Sequence, residues 1–259
     1  MKQLLSILGG SRLEARVRLN MKRIRALAGL TALMVVGLTP ATRAASEEGV
    51  ALAIIYDTSG SMKDPVPDQS GGSTPKYVIA NRALVKVAKQ VQAFATKSAA
   101  GSPRRIDTGL FVFHDSGARE AIKFGPFDAA ALQNWAMHFS NPHGNTPLGN
   151  ALSTAGRAVL DSPLSRKHVL IITDGMNTAG PPPATVLPRL KQLAEQKGTP
   201  FSVHFIAFDI AAKEFKSVKK LGATVVSAAD EKQLNSQLEF ILQRKILLED
   251  EESPKPKTN

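Results

Sequence analysis

Two stretches of this chain are dominated by apolar residues with no alternation, and they limit the folds open to it. Residues 50–56 read VALAIIY and residues 168–173 read HVLIIT. A strand with one wet face alternates apolar and polar residues. A strand with no alternation must be covered on both faces, as in a parallel sheet between helical layers. The rest of the chain supplies those layers. Residues 77, 80, 84, 87, 88, 91 and 95 are apolar or aromatic at helical spacing, which predicts a long amphipathic helix. Further helices are expected over residues 129–139 (Asp128 as N-cap), 146–160, 184–196, 211–221 and 231–248. Further strands are expected over 106–113, 118–124, 201–208 and 224–227, with 106–113 and 118–124 forming a hairpin about residues 114–117. Strand and helix alternate. The fold class is therefore α/β, doubly wound, with a mostly parallel six-stranded sheet, one antiparallel edge strand and flanking helices, in Rossmann-like arrangement.

The net charge of +11 would suggest nucleic acid, but its distribution does not. Residues 1–44 hold eight Lys/Arg and one acid; the remainder holds 25 basic and 21 acidic residues. That remainder is ordinary for a globular domain, and its basic residues are not interleaved with aromatics, so no nucleic-acid partner is expected. The N-terminal excess has another reading. Lys22, Arg23 and Arg25 precede the apolar stretch 26–38, and Thr42-Arg43-Ala44 places small residues before a cleavage point. This is the layout of a signal peptide over residues 1–44, with Met21 an alternative start and Ala45 the expected mature N-terminus. The stretch is short for a membrane-spanning helix, so no stable span is expected after cleavage. Export to the periplasm or beyond follows, with anchoring by an uncleaved helix the lesser alternative. Residues 45–248 form the expected domain, and the charged, Pro-containing residues 249–259 a disordered tail. The absence of cysteine removes disulfides, thiolate metal sites and lipoprotein attachment.

The chemistry lies in three loops. The first apolar strand ends in Asp57-Thr58-Ser59-Gly60-Ser61, and the strand at 168–173 ends in Thr173-Asp174-Gly175. Before the helix at 146 stands Gly144-Asn145-Thr146-Pro147, which reads as Thr at the N-cap and Pro at the first helical position. Ligands of open α/β sheets sit outside the carboxyl ends of the strands. All three loops fall at that end. Two carboxylates and three hydroxyls then face one region, a donor set for a hard cation.

Together the D-T-S-G-S run, Thr146 and the T-D-G run resemble the metal-ion-dependent adhesion site of the von Willebrand factor type A family, in its bacterial exported form. The resemblance extends from residue 50 to about residue 245. It implies that Ser59 and Ser61 are direct metal ligands and that Thr146 is the switchable hydroxyl. It implies that Asp57 and Asp174 act mainly through bound water. Neutral hydroxyls leave a small cation incompletely neutralised, so a sixth position attracts an outside Asp or Glu of a partner protein. Mg²⁺ is the expected ion, with Mn²⁺ as substitute. The function implied is non-catalytic protein binding or adhesion.

Other features give less. Asp64 resembles an acid of the adjacent regulatory metal site of integrin-type members, but Pro65 stands where a second acid is expected. Asp64 and Asp68 read as solvated loop residues, and His143 and Asp209 as rim positions. Trp135 reads as core. His114, Asp115 and Ser116 are consecutive, so they cannot form a catalytic triad, whose members must meet in space. Two alternatives stand against the binding module. One is Mg²⁺-dependent phosphoryl transfer through Asp57, disfavoured because serines take the place of a further acid in the turn. The other is an accessory role beside an ATPase machine, disfavoured by the signal peptide.

Overall fold

The computed structural model describes residues 47–96, 104–114 and 116–247. The expected signal peptide, its cleavage point and the charged tail lie outside the described residues.

Strand β1 (Glu47–Tyr56) is the hub. It pairs in parallel with β4 (Ile106–His114) on one side and with β6 (Leu164–Thr173) on the other. Beyond β4 lies the antiparallel edge strand β5 (Gly117–Pro126); beyond β6 lie β7 (Phe201–Phe208) and β8 (Thr224–Ala228), both parallel. The sheet order is β5-β4-β1-β6-β7-β8, the six-stranded mixed sheet expected. The chain leaves β1 toward one edge and β6 toward the other. Their carboxyl ends, paired at Tyr56 and Ile172, therefore flank a topological switch point, where ligand crevices form.

Residues 51–56 are completely buried, as their unbroken apolarity requires. Leu52, Ile54 and Tyr56 pack on one face with helices α1 (Lys76–Thr96), α2 (Ala129–His138) and α6 (Glu231–Ile241). Ala51, Ala53 and Ile55 pack on the other with α3 (Leu148–Asp161), α4 (Pro183–Lys197) and the short α5 (Lys216–Lys220). Asp128 caps α2 as expected, accepting from Ala131 N at 2.9 Å.

The structure differs from the sequence reading in local ways. The loop after Asp57 contains a small ribbon, β2 (Pro65–Pro67) with β3 (Ser73–Pro75). Asp68 builds its turn, accepting from Ser70 N, Ser70 Oγ, Gly72 N and Thr74 Oγ1 at 2.7–2.9 Å. Hydrogen bonds from Ser70 and Thr74 hold the Asp68 carboxyl at about 2. Asp68 is thus a turn-former. The helix expected over 211–221 is a 3₁₀ turn (Ala212–Phe215) leading into α5, because Phe215 turns inward to stack against Phe205, 5.4 Å away. The last helix ends in a π turn over Leu242–Leu247, whose extra residue per turn keeps Leu242, Ile246 and Leu247 all in the core.

Candidate metal centre

The turn after β1 is locked from behind. Asp57 N donates to Ile172 O at 3.0 Å, continuing the β1–β6 ladder. Asp57 is fully buried. One of its oxygens accepts from Ser59 N at 2.8 Å and the other from Thr173 Oγ1 at 2.6 Å. Thr58 Oγ1 donates to Phe113 O at 3.3 Å, tying the turn to the end of β4. The chain then enters a 3₁₀ turn (Gly60–Lys63), which brings Ser61 beside Ser59 with their hydroxyls 3.2 Å apart. Ser61 Oγ donates to Asp174 Oδ1 at 2.8 Å.

Thr146 enters from a third loop, clamped to both others. His143 N donates to Thr58 O at 2.7 Å and Gly60 N to Gly144 O at 3.2 Å. Thr146 N donates to Thr178 Oγ1 at 2.8 Å, and Thr146 O accepts from Thr178 N at 3.0 Å. Contrary to the sequence reading, Thr146 does not cap α3. The helix begins at Leu148, with Pro147 at the cap position. Asn177 Oδ1 caps it instead, accepting from Gly149 N at 3.0 Å. With that task taken by another loop, the Thr146 hydroxyl makes no hydrogen bond among the described residues.

The five residues picked out in the sequence are therefore drawn to one place, from three loops. Their donor set fits a small divalent ion on three observations. Ligands at adjacent corners of an octahedron with Mg–O of about 2.1 Å lie about 3 Å apart, close to the 3.2 Å between the serine hydroxyls. A methyl group on Gly175 would stand 3.4 Å from Thr146 Oγ1 and 4.0 Å from Ser61 Oγ, so glycine here keeps the room beside both hydroxyls clear. Finally, burial and then the neighbouring Asp174 carboxylate push Asp57 up to about 6, the state of a carboxyl short of positive charge. Among the described residues no group of three or more His, Asp or Glu side chains stands where it could hold a metal. Any ion bound here depends on hydroxyl oxygens.

One residue of the site had no place in the sequence reading. Lys76, the first residue of α1, is buried, and its ammonium lies 2.8 Å from Asp174 Oδ2, 3.2 Å from Asp209 and 3.7 Å from Asp64. Burial alone would lower its pKa; pairing with Asp174 and Asp209 outweighs this and leaves it above the ordinary lysine value. The available signal was a lysine opening an amphipathic helix, where the helix dipole disfavours a cation. Asp64 and Asp209 are thus lysine partners. Trp135, expected in the core, is only half-buried; it stacks on Phe139 at 4.9 Å and faces a groove of about 520 Å³ beside the site. His114, Arg119, His143 and Asn145 line the same groove.

Comparison with known proteins identifies the fold. The model of the von Willebrand factor type A domain matches residues 51–240. The fold is similar to the vWF domain of the type V pili tip protein Mfa5 from Porphyromonas gingivalis (TM-score 0.57, 13% identity, 82% of this chain and 98% of that one). It is similar to the PilB minor pilin from Streptococcus sanguinis (TM-score 0.57, 15% identity, 76% and 61%). It is also similar to proximal thread matrix protein 1 from the mussel byssus, solved with a zinc-occupied MIDAS motif (TM-score 0.52, 17% identity, 76% and 48%). The chain thus spans less than two thirds of the pilin and about half of the byssus protein, and at these identities the likeness is one of fold. No curated protein matches the sequence. The family match, over most of the chain and across all three site loops, makes this a member of the von Willebrand factor type A domain family.

Proposed function

We propose that this chain is an exported, non-catalytic binding module that captures a partner protein through a divalent ion, Mg²⁺ by the character of its oxygen donors. The observation that carries this reading is the paired hydroxyls of Ser59 and Ser61, 3.2 Å apart, with the Asp57 and Asp174 carboxylates engaged behind them. Ser59, Ser61 and Thr146 would hold the ion. Asp57 and Asp174 would orient those ligands and supply charge. An ion held mainly by neutral oxygens keeps affinity for an anionic ligand, and a partner's Asp or Glu side chain meets that need.

The groove next to the site suits the rest of such a partner. It offers the Arg119 guanidinium, two imidazoles and the Trp135–Phe139 stack, and no carboxylate lines it among the described residues. Aromatic and Arg side chains are the usual anchors of interfaces. Phosphoryl transfer through Asp57 is less well supported: both its oxygens accept hydrogen bonds and it is wholly buried, whereas a nucleophile needs a free face. Export rests on the signal-like residues 22–44. Pilin and pilus-tip proteins share the fold, and no helix among the described residues is long and apolar enough to cross a membrane.

The test is capture from envelope extract by immobilised protein in Mg²⁺ against EDTA, with Thr146→Ala alongside. Capture that needs Mg²⁺ and is lost in the folded variant supports the reading. Equal capture in EDTA, or retained Mg²⁺-dependent capture by Thr146→Ala, overturns it.

A further inference from the structure

Lys76 is buried where lysine is normally avoided. Its side chain is 5% exposed and that of Asp174 is wholly buried; lysines are hardly ever so enclosed unless paired. It also opens α1, at the end of a helix dipole that favours anions. Three separate loops bring carboxylates to its ammonium. Asp64 follows the Ser61 turn, Asp174 follows β6 and Asp209 follows β7. Asp209 does so in the left-handed region, at φ 55°, the only non-glycine residue with positive φ among those described. Such convergence is out of proportion to a role in helix packing.

The Asp174 carboxylate is shared. One oxygen accepts from Ser61, a candidate metal ligand, and the other carries Lys76. We propose that Lys76 is a resident counter-ion of the metal centre, which cancels one of its two carboxylate charges and so holds divalent-ion affinity low. This rests on the metal-binding reading of the Asp57–Ser61 turn. Two consequences follow. Without metal, the ammonium already neutralises Asp174, so the fold does not require the ion. With metal, Asp57 and Asp174 together contribute one net negative charge after Lys76, so a dication keeps positive charge for a partner's carboxylate to complete. Lys76 acts through Asp174 and is a positioning and charge-setting residue, not a ligand.

The experiment is Mn²⁺ binding to metal-stripped protein, read by the electron paramagnetic resonance of free Mn²⁺, for wild type, Lys76→Gln and Lys76→Arg. Glutamine keeps a donor for Asp174 and removes the charge; arginine keeps the charge. Lys76→Gln should bind Mn²⁺ about tenfold more tightly or better, and Lys76→Arg should stay within about threefold of wild type. Unchanged or weaker binding by folded Lys76→Gln overturns the proposal. Where the neutral variant is too unstable for titration, urea midpoints read the same linkage. Millimolar Mg²⁺ must then raise the midpoint more in Lys76→Gln than in wild type; an equal or smaller gain overturns it. Binding by Lys76→Gln alone would support Lys76 as the charge that excludes the ion and would remove the metal reading from the wild type. Binding by neither would overturn both.

Discussion

Two groups of titratable side chains buried at the sheet have opposite results. At its carboxyl end Asp57, Asp174 and Lys76 are enclosed, yet each is held by a hydroxyl, an amide or an opposite charge. In the middle of β6 and β7, His168 and His204 are just as buried, with rings stacked at 5.6 Å and Nδ1 of one 3.4 Å from Nε2 of the other. Burial holds His168 at about 3, helped by the His204 charge, and His204 at about 4, helped by Lys245. They are neutral core residues. Burial of ionisable groups is common to both places; of the two, the carboxyl end alone has donors converging from separate loops beside a glycine.

The largest expected effect falls on the histidines. Their folded pKa values lie below the unfolded value of 6.5, so below pH 6.5 the unfolded chain takes up protons that the folded chain refuses. Stability is present above pH 6.5 and is lost as pH falls toward 4, by on the order of 5 kcal/mol for the pair. Asp57 works the other way. Its folded pKa is raised to about 6 from 3.8, so its burial penalty disappears as it protonates, offsetting about 2 kcal/mol by pH 4.5. Urea melts at pH 6.5, 5.5 and 4.5 should show a net loss, and a steeper one in Asp57→Asn. A flat wild-type profile with no steepening in the variant would break the contrast between the two places.

Single deletions should separate them next. Asp174→Ala strands the Lys76 ammonium against only the half-exposed Asp209 and the exposed Asp64, and should cost about 3 kcal/mol. His204→Leu removes a neutral side chain and should cost under about 1 kcal/mol at pH 7, while reducing the acid loss. Comparable losses at pH 7 would mean that the charge network adds nothing special. Mg²⁺ should then distinguish them by linkage. At one hundred times its dissociation constant it should stabilise wild type and His204→Leu by about 2.7 kcal/mol, and Asp174→Ala hardly at all, with EDTA reversing the gain in a thermal melt.

The same contrast explains what could be read in the sequence. Residues 50–56 and 168–173 revealed both central strands because burial on both faces removes the alternation of apolar and polar residues. The closeness of Asp57, Ser59 and Ser61 was legible because one turn carries all three. Lys76 was not, because its meaning depends on Asp174 and Asp209, 98 and 133 positions away. Nor was the release of Thr146 from capping, which depends on Asn177 approaching α3 from another loop. The β2–β3 ribbon escaped for a different reason: its strands are three residues each, too short to show periodicity.

The smallest expected effect is the most specific, and it sets two glycines against each other. A Cβ at Gly149 would meet Pro181 O at 1.9 Å, so that glycine serves backbone packing between α3 and the loop before α4, and Gly149→Ala should disturb the fold whether or not an ion is present. At Gly175 the nearest atom would be Thr146 Oγ1 at 3.4 Å, an ordinary contact. The backbone at 175 is not in the left-handed region, so alanine is tolerated there and its methyl group falls 3.4 Å from the Thr146 hydroxyl and 4.0 Å from that of Ser61. Gly175→Ala should therefore melt within a few degrees of wild type in EDTA yet bind Mn²⁺ about tenfold more weakly, about 1.4 kcal/mol. If instead its Mn²⁺ affinity matches wild type, Gly175 leaves no functional opening and the carboxyl end of the sheet is as closed a polar core as the histidine pair.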